Sequence, residues 1–430
     1  MGEAMRDEAV LDRDAFISHF ADFVAASPTS YHAAAAAAEV LTRAGFVELD
    51  ESEAWPAASA APAAFVRRDG AIIAWRAGAG VSATSPVRVL GAHTDSPGFV
   101  LKPQPDFTAH GWAQLGVEVY GGPLINSWLD RDLGVAGRVV TRTGEEKLVC
   151  TGAVARIPQL AIHLDREANN GLNLDRQRNT QPIIGIAGAD VSLAELLAHE
   201  GITADDIAGF DLRLFDTQRP ERIGARSEFF ASPRLDNLSS TYAGLAALIV
   251  AEPAEGGISM LAAFDHEELG SETRSGASGP FLADVLDRIW AGLGGGVEDR
   301  QRALAGSWCL SADAGHSVHP NYGEKHDPNV RPLAGRGPML KINANQRYAS
   351  DAHGGALWRS LCAAAGVPTQ DFVSNNTVPC GSTIGPLTAT RIGMRTVDVG
   401  VPLLSMHSAR ELAHVDDLHG LALVIAEFFA

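Results

Sequence analysis

The chain has 430 residues, 46% of them hydrophobic and 20% charged, which is enough for a large core and, at this length, for two domains. A formal net charge of −18 without any basic run excludes nucleic acid and anionic membrane as expected partners. Four scattered cysteines (Cys150, Cys309, Cys362 and Cys380) form no CxxC pair, so no disulfide framework or cysteine-based zinc module is expected, and a reducing cytoplasm fits best.

In chain order, "MGEAMRDEAVLDRD" is charged and lacks the apolar stretch of a secretory signal, and Arg6 argues against myristoylation at Gly2. No run of about 18 apolar residues is free of charge, so no transmembrane helix is expected. Residues 14–45, rich in alanine and ending at Gly45, read as helix. Residues 63–78 read as a hairpin turning at Asp69-Gly70, and "VRVLGAH" as a short buried strand. From about 99 to 230 the texture changes to glycine-broken strands, "GWAQLGVEVYGG", "GRVVTRTGEEKLVCTG" and "FDLRLFDTQ", with one short helix at "SLAELLAHEG"; this reads as an inserted β-rich domain. Strands and helices then alternate: "SSTYAGLAALIVA" helix, "GISMLAAF" strand, "SGPFLADVLDRIWAGL" helix, "GSWCLSAD" strand, "GGALWRSLCAAAG" helix, "MRTVDVG" strand and "HVDDLHGLALVIAEFF" helix. That alternation predicts an α/β sandwich of helices over a mostly parallel sheet.

Four of the strands run into polar segments, "GAHTDSPG", "FDHEELGS", "CLSADAGHSVH" and "VPLLSMHSARE", and a fifth, "SPRLDNLSS", opens a helix. Open α/β sheets place their sites at the carboxyl ends of strands, so these segments are able to converge although they lie far apart in sequence. Each alone has a plain structural reading: a hydrogen-bonded histidine, a solvated Glu-Glu pair, an aspartate capping a helix. Together they offer two histidines, His93 and His407, and three carboxylates, Asp236, Glu268 and Asp313, a donor set suited to two divalent cations. Asp236 is the candidate bridge between metals roughly 3.5–4 Å apart, with His93 and Asp313 on one and Glu268 and His407 on the other. Asp95, two residues past His93, is placed to accept from the other ring nitrogen and fix its tautomer.

These residues resemble the aspartyl aminopeptidase family of dinuclear zinc peptidases, in stretches running from "SPTSYHA" through "AIHLDR", "HPNYGEKH", "KINANQRYASD" and "PCGSTIGP" to "MHSARE". The resemblance implies two zinc ions per subunit, with cobalt or manganese as possible substitutes, on the five ligands named above, and Glu267 as general base. It implies a catalytic domain of residues 1–98 and 231–430, an inserted dimerisation domain of 99–230, and a homo-oligomer, commonly a dodecamer built from dimers. His163 matches a histidine reaching a neighbouring subunit's site, and Lys341 and His316 match substrate-contacting positions. The implied substrates are peptides with a free, acidic N-terminal residue. Gly315, where alanine is usual, and the altered stretch before Pro379 bear on that preference, and some relatives take neutral residues.

The expected chemistry is hydrolysis by a metal-bridging hydroxide, with Glu267 moving the proton. A deacylase or carboxypeptidase would use the same metal pair, and a non-catalytic assembly protein would require a missing ligand, which this sequence does not have. No GxSxG, P-loop or dinucleotide fingerprint is present, and Cys380, without an evident base, reads as a buried structural thiol.

Overall fold

The apolar runs that precede the polar segments form the centre of one sheet. In the computed structural model, which describes residues 10, 12–188 and 191–430, Ile258–Phe264, Val87–His93, Trp308–Ala312 and Arg395–Gly400 lie side by side and parallel. Ala71–Ala77, Ala63–Arg68 and Val47–Glu48 extend one side, and Met339–Lys341 and Gln370–Phe372 the other, giving nine strands with a parallel centre, antiparallel joins on both sides of it and a parallel pair at each edge. Gly2 and Arg6, on which the myristoylation reading turns, lie outside the described residues.

Alternation along a strand feeds two cores. In Ile258–Phe264, Leu261 and Ala263 face the helices Arg13–Ala25, Ser30–Arg43, Leu235–Val250, Ala352–Ala364 and Val415–Phe429. Met260, Ala262 and Phe264 face Phe281–Gly292, Val297–Gly306 and Ile384–Ile392. Each fully buried leucine or phenylalanine contributes about 1.5–3 kcal/mol, so the strand ends rest on a stiff platform. This is the α/β sandwich expected from the alternation of elements.

One local expectation is corrected. The helix expected over 14–45 is two helices, Arg13–Ala25 and Ser30–Arg43. Pro28 interrupts the hydrogen-bond ladder, and Thr29 caps the second helix by accepting from the His32 N–H. Val297–Gly306, a polar stretch with little apolar periodicity, is helical as well, with Asp299 accepting from the Gly296 N–H at its start.

A second sheet, of six antiparallel strands, comes from the β-rich stretch: Glu146–Cys150, Leu133–Thr141, Ile207–Asp216, Gly98–Ala109, Trp112–Tyr120 and Ile183–Ile186 in spatial order. It has its own core, around Phe99, Leu115, Trp128 and Leu212. A third, small sheet joins Glu221–Ile223 and Phe229–Ser232 to Glu411–His414, Pro402–Leu404 and Gly315–His316, which brings the segments carrying Asp236, His316 and His407 together. Among the described residues no helix is long and apolar enough to cross a membrane.

Candidate metal centre

The sheet delivers its polar ends to one place. His93 ends Val87–His93 beside Phe264, the last residue of its neighbour strand, so "HTD" and "DHEE" emerge next to each other. Asp313 follows Trp308–Ala312 and is tied by its N–H to the Val399 carbonyl at 3.0 Å. Gly400 permits that approach, since a Cβ there would meet the Asp313 carbonyl oxygen at 1.7 Å. Asp236 sits in the first turn of Leu235–Val250 with non-helical dihedrals; Ser96 Oγ donates to its carbonyl at 2.8 Å, and the Asn237 amide donates to the Ala312 carbonyl at 2.8 Å.

Asp236 stands between the two histidines. Its Oδ1 lies 3.3 Å from His93 Nε2, and its Oδ2 lies 3.4 Å from His407 Nε2. Asp313 Oδ1 is 3.5 Å from His93 Nε2, and Glu268 Oε2 is 3.5 Å from His407 Nε2. Two ligand-type clusters result, His93–Asp236–Asp313 and Asp236–Glu268–His407, with Asp236 common to both. A third, His93–Glu267–Glu268, brings in the second glutamate.

The tautomers follow from the partners of Nδ1. His93 Nδ1 lies 3.1 Å from the Asp95 carbonyl, and His407 Nδ1 lies 3.0 Å from the Gly122 carbonyl. A carbonyl only accepts, so both Nδ1 atoms carry hydrogen and both Nε2 atoms face the carboxylates, free to ligate once unprotonated. Asp95 adds its side chain, with Oδ1 3.3 Å from His93 Nδ1.

These residues fit divalent cations. Donor atoms 3.3–3.5 Å apart match the edge of a tetrahedron with bonds of about 2.0–2.1 Å to nitrogen and oxygen. Asp236 Oδ1 and Glu268 Oε1 are buried without a hydrogen-bond partner, as metal-directed oxygens would be. The protonation balance agrees. Burial, with Asp236 adding, drives Glu268 well above the carboxylate range. Burial pushes Glu267 up to about 8, with His93 opposing and Asp313 and Asp236 adding. Burial opposes ionisation of Asp236, but the His407 and His93 rings beside it hold it well below the usual range. Against burial, the Asp236 bond and the Glu268 charge push His407 up to about 10. Carboxylates outnumber the histidine cations here, and added positive charge would relieve the imbalance.

Supporting groups that the sequence reading left without a role surround the candidate ligands. Glu411 is buried; its Oε2 accepts the Asp236 N–H at 3.0 Å and its Oε1 the His407 N–H at 2.8 Å. Tyr120, from the six-stranded sheet, donates to Asp95 Oδ2 at 2.7 Å. Asp265 is buried and accepts from Ser30 Oγ and the His266 N–H, which fixes the turn into Glu267.

Not every expected site residue converges. Lys341 is buried; its ammonium donates to the Ala314 carbonyl at 2.7 Å and lies 3.5 Å from Asp313 Oδ2. His316 lines a neighbouring cavity of about 220 Å³ with His319, Lys325, His326 and Tyr348. Cys380, expected to be buried, is half-exposed and lines the same cavity, because its segment forms the rim and not the core. His163 lies on an exposed segment between exposed Ile162 and Leu164, outside the three ligand clusters of its own chain.

An α/β sheet with paired, carboxylate-bridged ligand clusters at its strand ends is the framework of a metallohydrolase. The pattern of the family described as aminopeptidase I zinc metalloprotease (M18) matches residues 23–429. A Streptomyces avermitilis protein named "Probable M18 family aminopeptidase 2" is 51% identical over 415 residues, 94% of this chain and 95% of that one. The fold is similar to that in a cryo-EM structure of the Ape4 and Nbr1 complex (TM-score 0.91, 35% identity, 97% of this chain and 86% of that chain). It is also similar to that of the S. cerevisiae mApe1 dodecamer (TM-score 0.83, 29% identity, 96% of each chain). The chain belongs to the M18 peptidase family, the family indicated by the resemblance in sequence, and is a metalloaminopeptidase.

Proposed function

We propose that the chain removes the N-terminal residue, preferentially an acidic one, from peptides, using two zinc ions held by His93, Asp236, Glu268, Asp313 and His407. The observation that carries this reading is the placement of the two Asp236 oxygens, one toward each histidine. When bound, the zinc ions supply a Lewis acid for the scissile carbonyl and a water that ionises near neutral pH.

The chain's own groups do the rest. Glu267, half-buried beside His93, takes a proton from the attacking water on its carboxylate. Oxygen adds to the carbonyl carbon, the C–N bond breaks, and Glu267 returns the proton to the leaving nitrogen. Asp95 holds His93 and the turn carrying both glutamates.

The acidic preference is supported by the cavity next to His407, which is lined by His316, His319, Lys325 and His326 and by no carboxylate. Lys341 lies behind it, 5.4 Å from the centre of the lining Tyr348 ring, and adds a positive field. His163 is proposed to act in a neighbouring subunit of a homo-oligomer. Its surroundings support this, because exposed Leu160, Ile162 and Leu164 form an apolar patch of the kind that subunit contacts cover. The dodecameric relative supports a homo-oligomer, in which the six-stranded sheet is proposed as the dimerisation unit. The four free cysteines accord with a cytoplasmic setting.

The deciding assay uses Asp-, Glu-, Leu- and N-acetyl-Asp-peptides on the whole assembly, before and after chelation and zinc return. Zinc-dependent release of Asp and Glu ahead of Leu is expected. Cleavage confined to the acetylated peptide would identify a deacylase and end the aminopeptidase reading.

A further inference from the structure

The geometry points to Tyr120 as a positioning residue through which the six-stranded sheet sets both glutamates and His93. This rests on the proposed roles of His93, Glu267 and Glu268.

Asp95 is the hub. Its Oδ1 accepts the Glu267 N–H at 3.0 Å and lies 3.3 Å from His93 Nδ1. Its Oδ2 accepts the Glu268 N–H at 3.2 Å. One buried carboxylate therefore touches the proton carrier and one ligand of each metal cluster. Those bonds come from groups at or just after the strand ends of the nine-stranded sheet. The Tyr120 hydroxyl, which donates to Oδ2 at 2.7 Å, comes from the other sheet. Tyr120 is itself buried and held from beneath, with the Arg213 guanidinium 3.9 Å from its ring centre. A tyrosine fixed by a cation on its face and bonded at its tip has little freedom, so it fixes the rotation of the Asp95 carboxylate.

The same strand end reaches the second histidine. Beyond Tyr120 the chain turns at Gly121, with φ +66° and a virtual Cβ 3.2 Å from Glu268 Cβ. The Gly122 carbonyl then meets His407 Nδ1, and the Leu124 N–H donates to the His407 carbonyl at 2.9 Å. Residues 120–124 thus hold the outer side of both histidines, one directly and one through Asp95. The sheet's part in the reaction is then not limited to assembly.

Removal of an outer hydrogen-bond partner of a metal site costs about 10–100-fold in metal affinity or activity. The test is Tyr120→Phe in the full chain, which keeps the ring over Arg213 and deletes one hydroxyl. Zinc affinity is read by competition with a chromophoric chelator, and kcat and KM are read at saturating zinc. Expected are zinc binding weaker by about 10–100-fold and a lower kcat with KM little changed. In an Asp95→Asn background the same deletion is expected to cost little more, because its effect runs through that carboxylate. Unchanged zinc affinity and kcat in Y120F, or losses that simply add in the double variant, would overturn the role of Tyr120 alone. A wild-type chain that takes up no zinc would instead bring down the metal-site reading, and this inference with it.

Discussion

Glu411 is bonded to the backbone of Asp236: its Oε2 accepts that N–H at 3.0 Å, while its other oxygen accepts the His407 N–H at 2.8 Å. One carboxylate thus sets the separation between Asp236 and His407. Burial pushes Glu411 up to about 8, with Asp236 adding, so the group is kept for its two acceptors despite the cost of charge in that place. Glu411→Gln keeps the shape but turns an NH2 toward one of the two N–H groups. Zinc affinity is expected to fall by about 10–100-fold, measured by titrating chelator-stripped protein. Wild-type affinity in this variant would show that the clamp is dispensable.

Glu267→Gln tests the division of labour between adjacent glutamates. Glu268 faces His407 in the cluster with Asp236, whereas Glu267 falls only in the cluster with His93 and Glu268. Zinc content by atomic absorption is therefore expected to stay at the wild-type level. Turnover is expected to drop by about 10²–10⁴-fold, the usual worth of a positioned proton carrier. Substantial residual activity would remove Glu267 from the proton path.

The candidate ligands were legible because each stands at or after the end of an apolar run or at a helix start, where a polar residue interrupts an otherwise apolar stretch. His93, Asp313 and the Glu267-Glu268 pair all follow central parallel strands. Tyr120, Gly122 and Glu411 were not legible as site residues. They act through a hydroxyl, a carbonyl and backbone N–H groups across 4 to 285 positions of chain, and such bonds leave no periodic trace. Lys341 shows the converse. The family resemblance implied a substrate contact, while its packing puts the ammonium on the Ala314 carbonyl and near Asp313.

Metal removal should make the protein sensitive to alkaline pH. Against burial, Asp236 and Glu268 push His407 up to about 10 from an ordinary 6.5. Stability from the protonated ring is therefore full below about 6.5 and is lost as pH rises through about 10. Glu267 and Glu411, raised by burial to about 8, act in the same direction, since their carboxyls hold protons in the fold that the unfolded chain releases at lower pH. Zinc takes the place of the His407 proton, so its binding gains as that proton becomes easier to lose. Calorimetric melts of chelator-stripped protein should show Tm falling between pH 6.5 and 10, with the gap to zinc-loaded protein widening. A gap that narrows over this range would contradict the assigned protonation.

Lys341→Met separates two duties of one buried ammonium. Its bonds to the Ala314 carbonyl and its approach to Asp313 Oδ2 at 3.5 Å support a metal ligand, and that support serves every substrate alike. Its charge also lies behind the Tyr348 ring, which lines the cavity proposed for the substrate's side chain, and that field favours a carboxylate. The substitution removes both while keeping a stem of similar length. A shared loss of kcat on Asp- and Leu-peptides is expected from the first duty. An added rise in KM of about 10-fold, equivalent to about 1.4 kcal/mol, confined to the acidic substrates, is expected from the second. Steady-state kinetics on the two peptides at saturating zinc distinguish the terms. Equal losses on both would leave Lys341 as a support of Asp313 alone, and the preference would then have to come from His316, His319, Lys325 and His326 on the cavity wall.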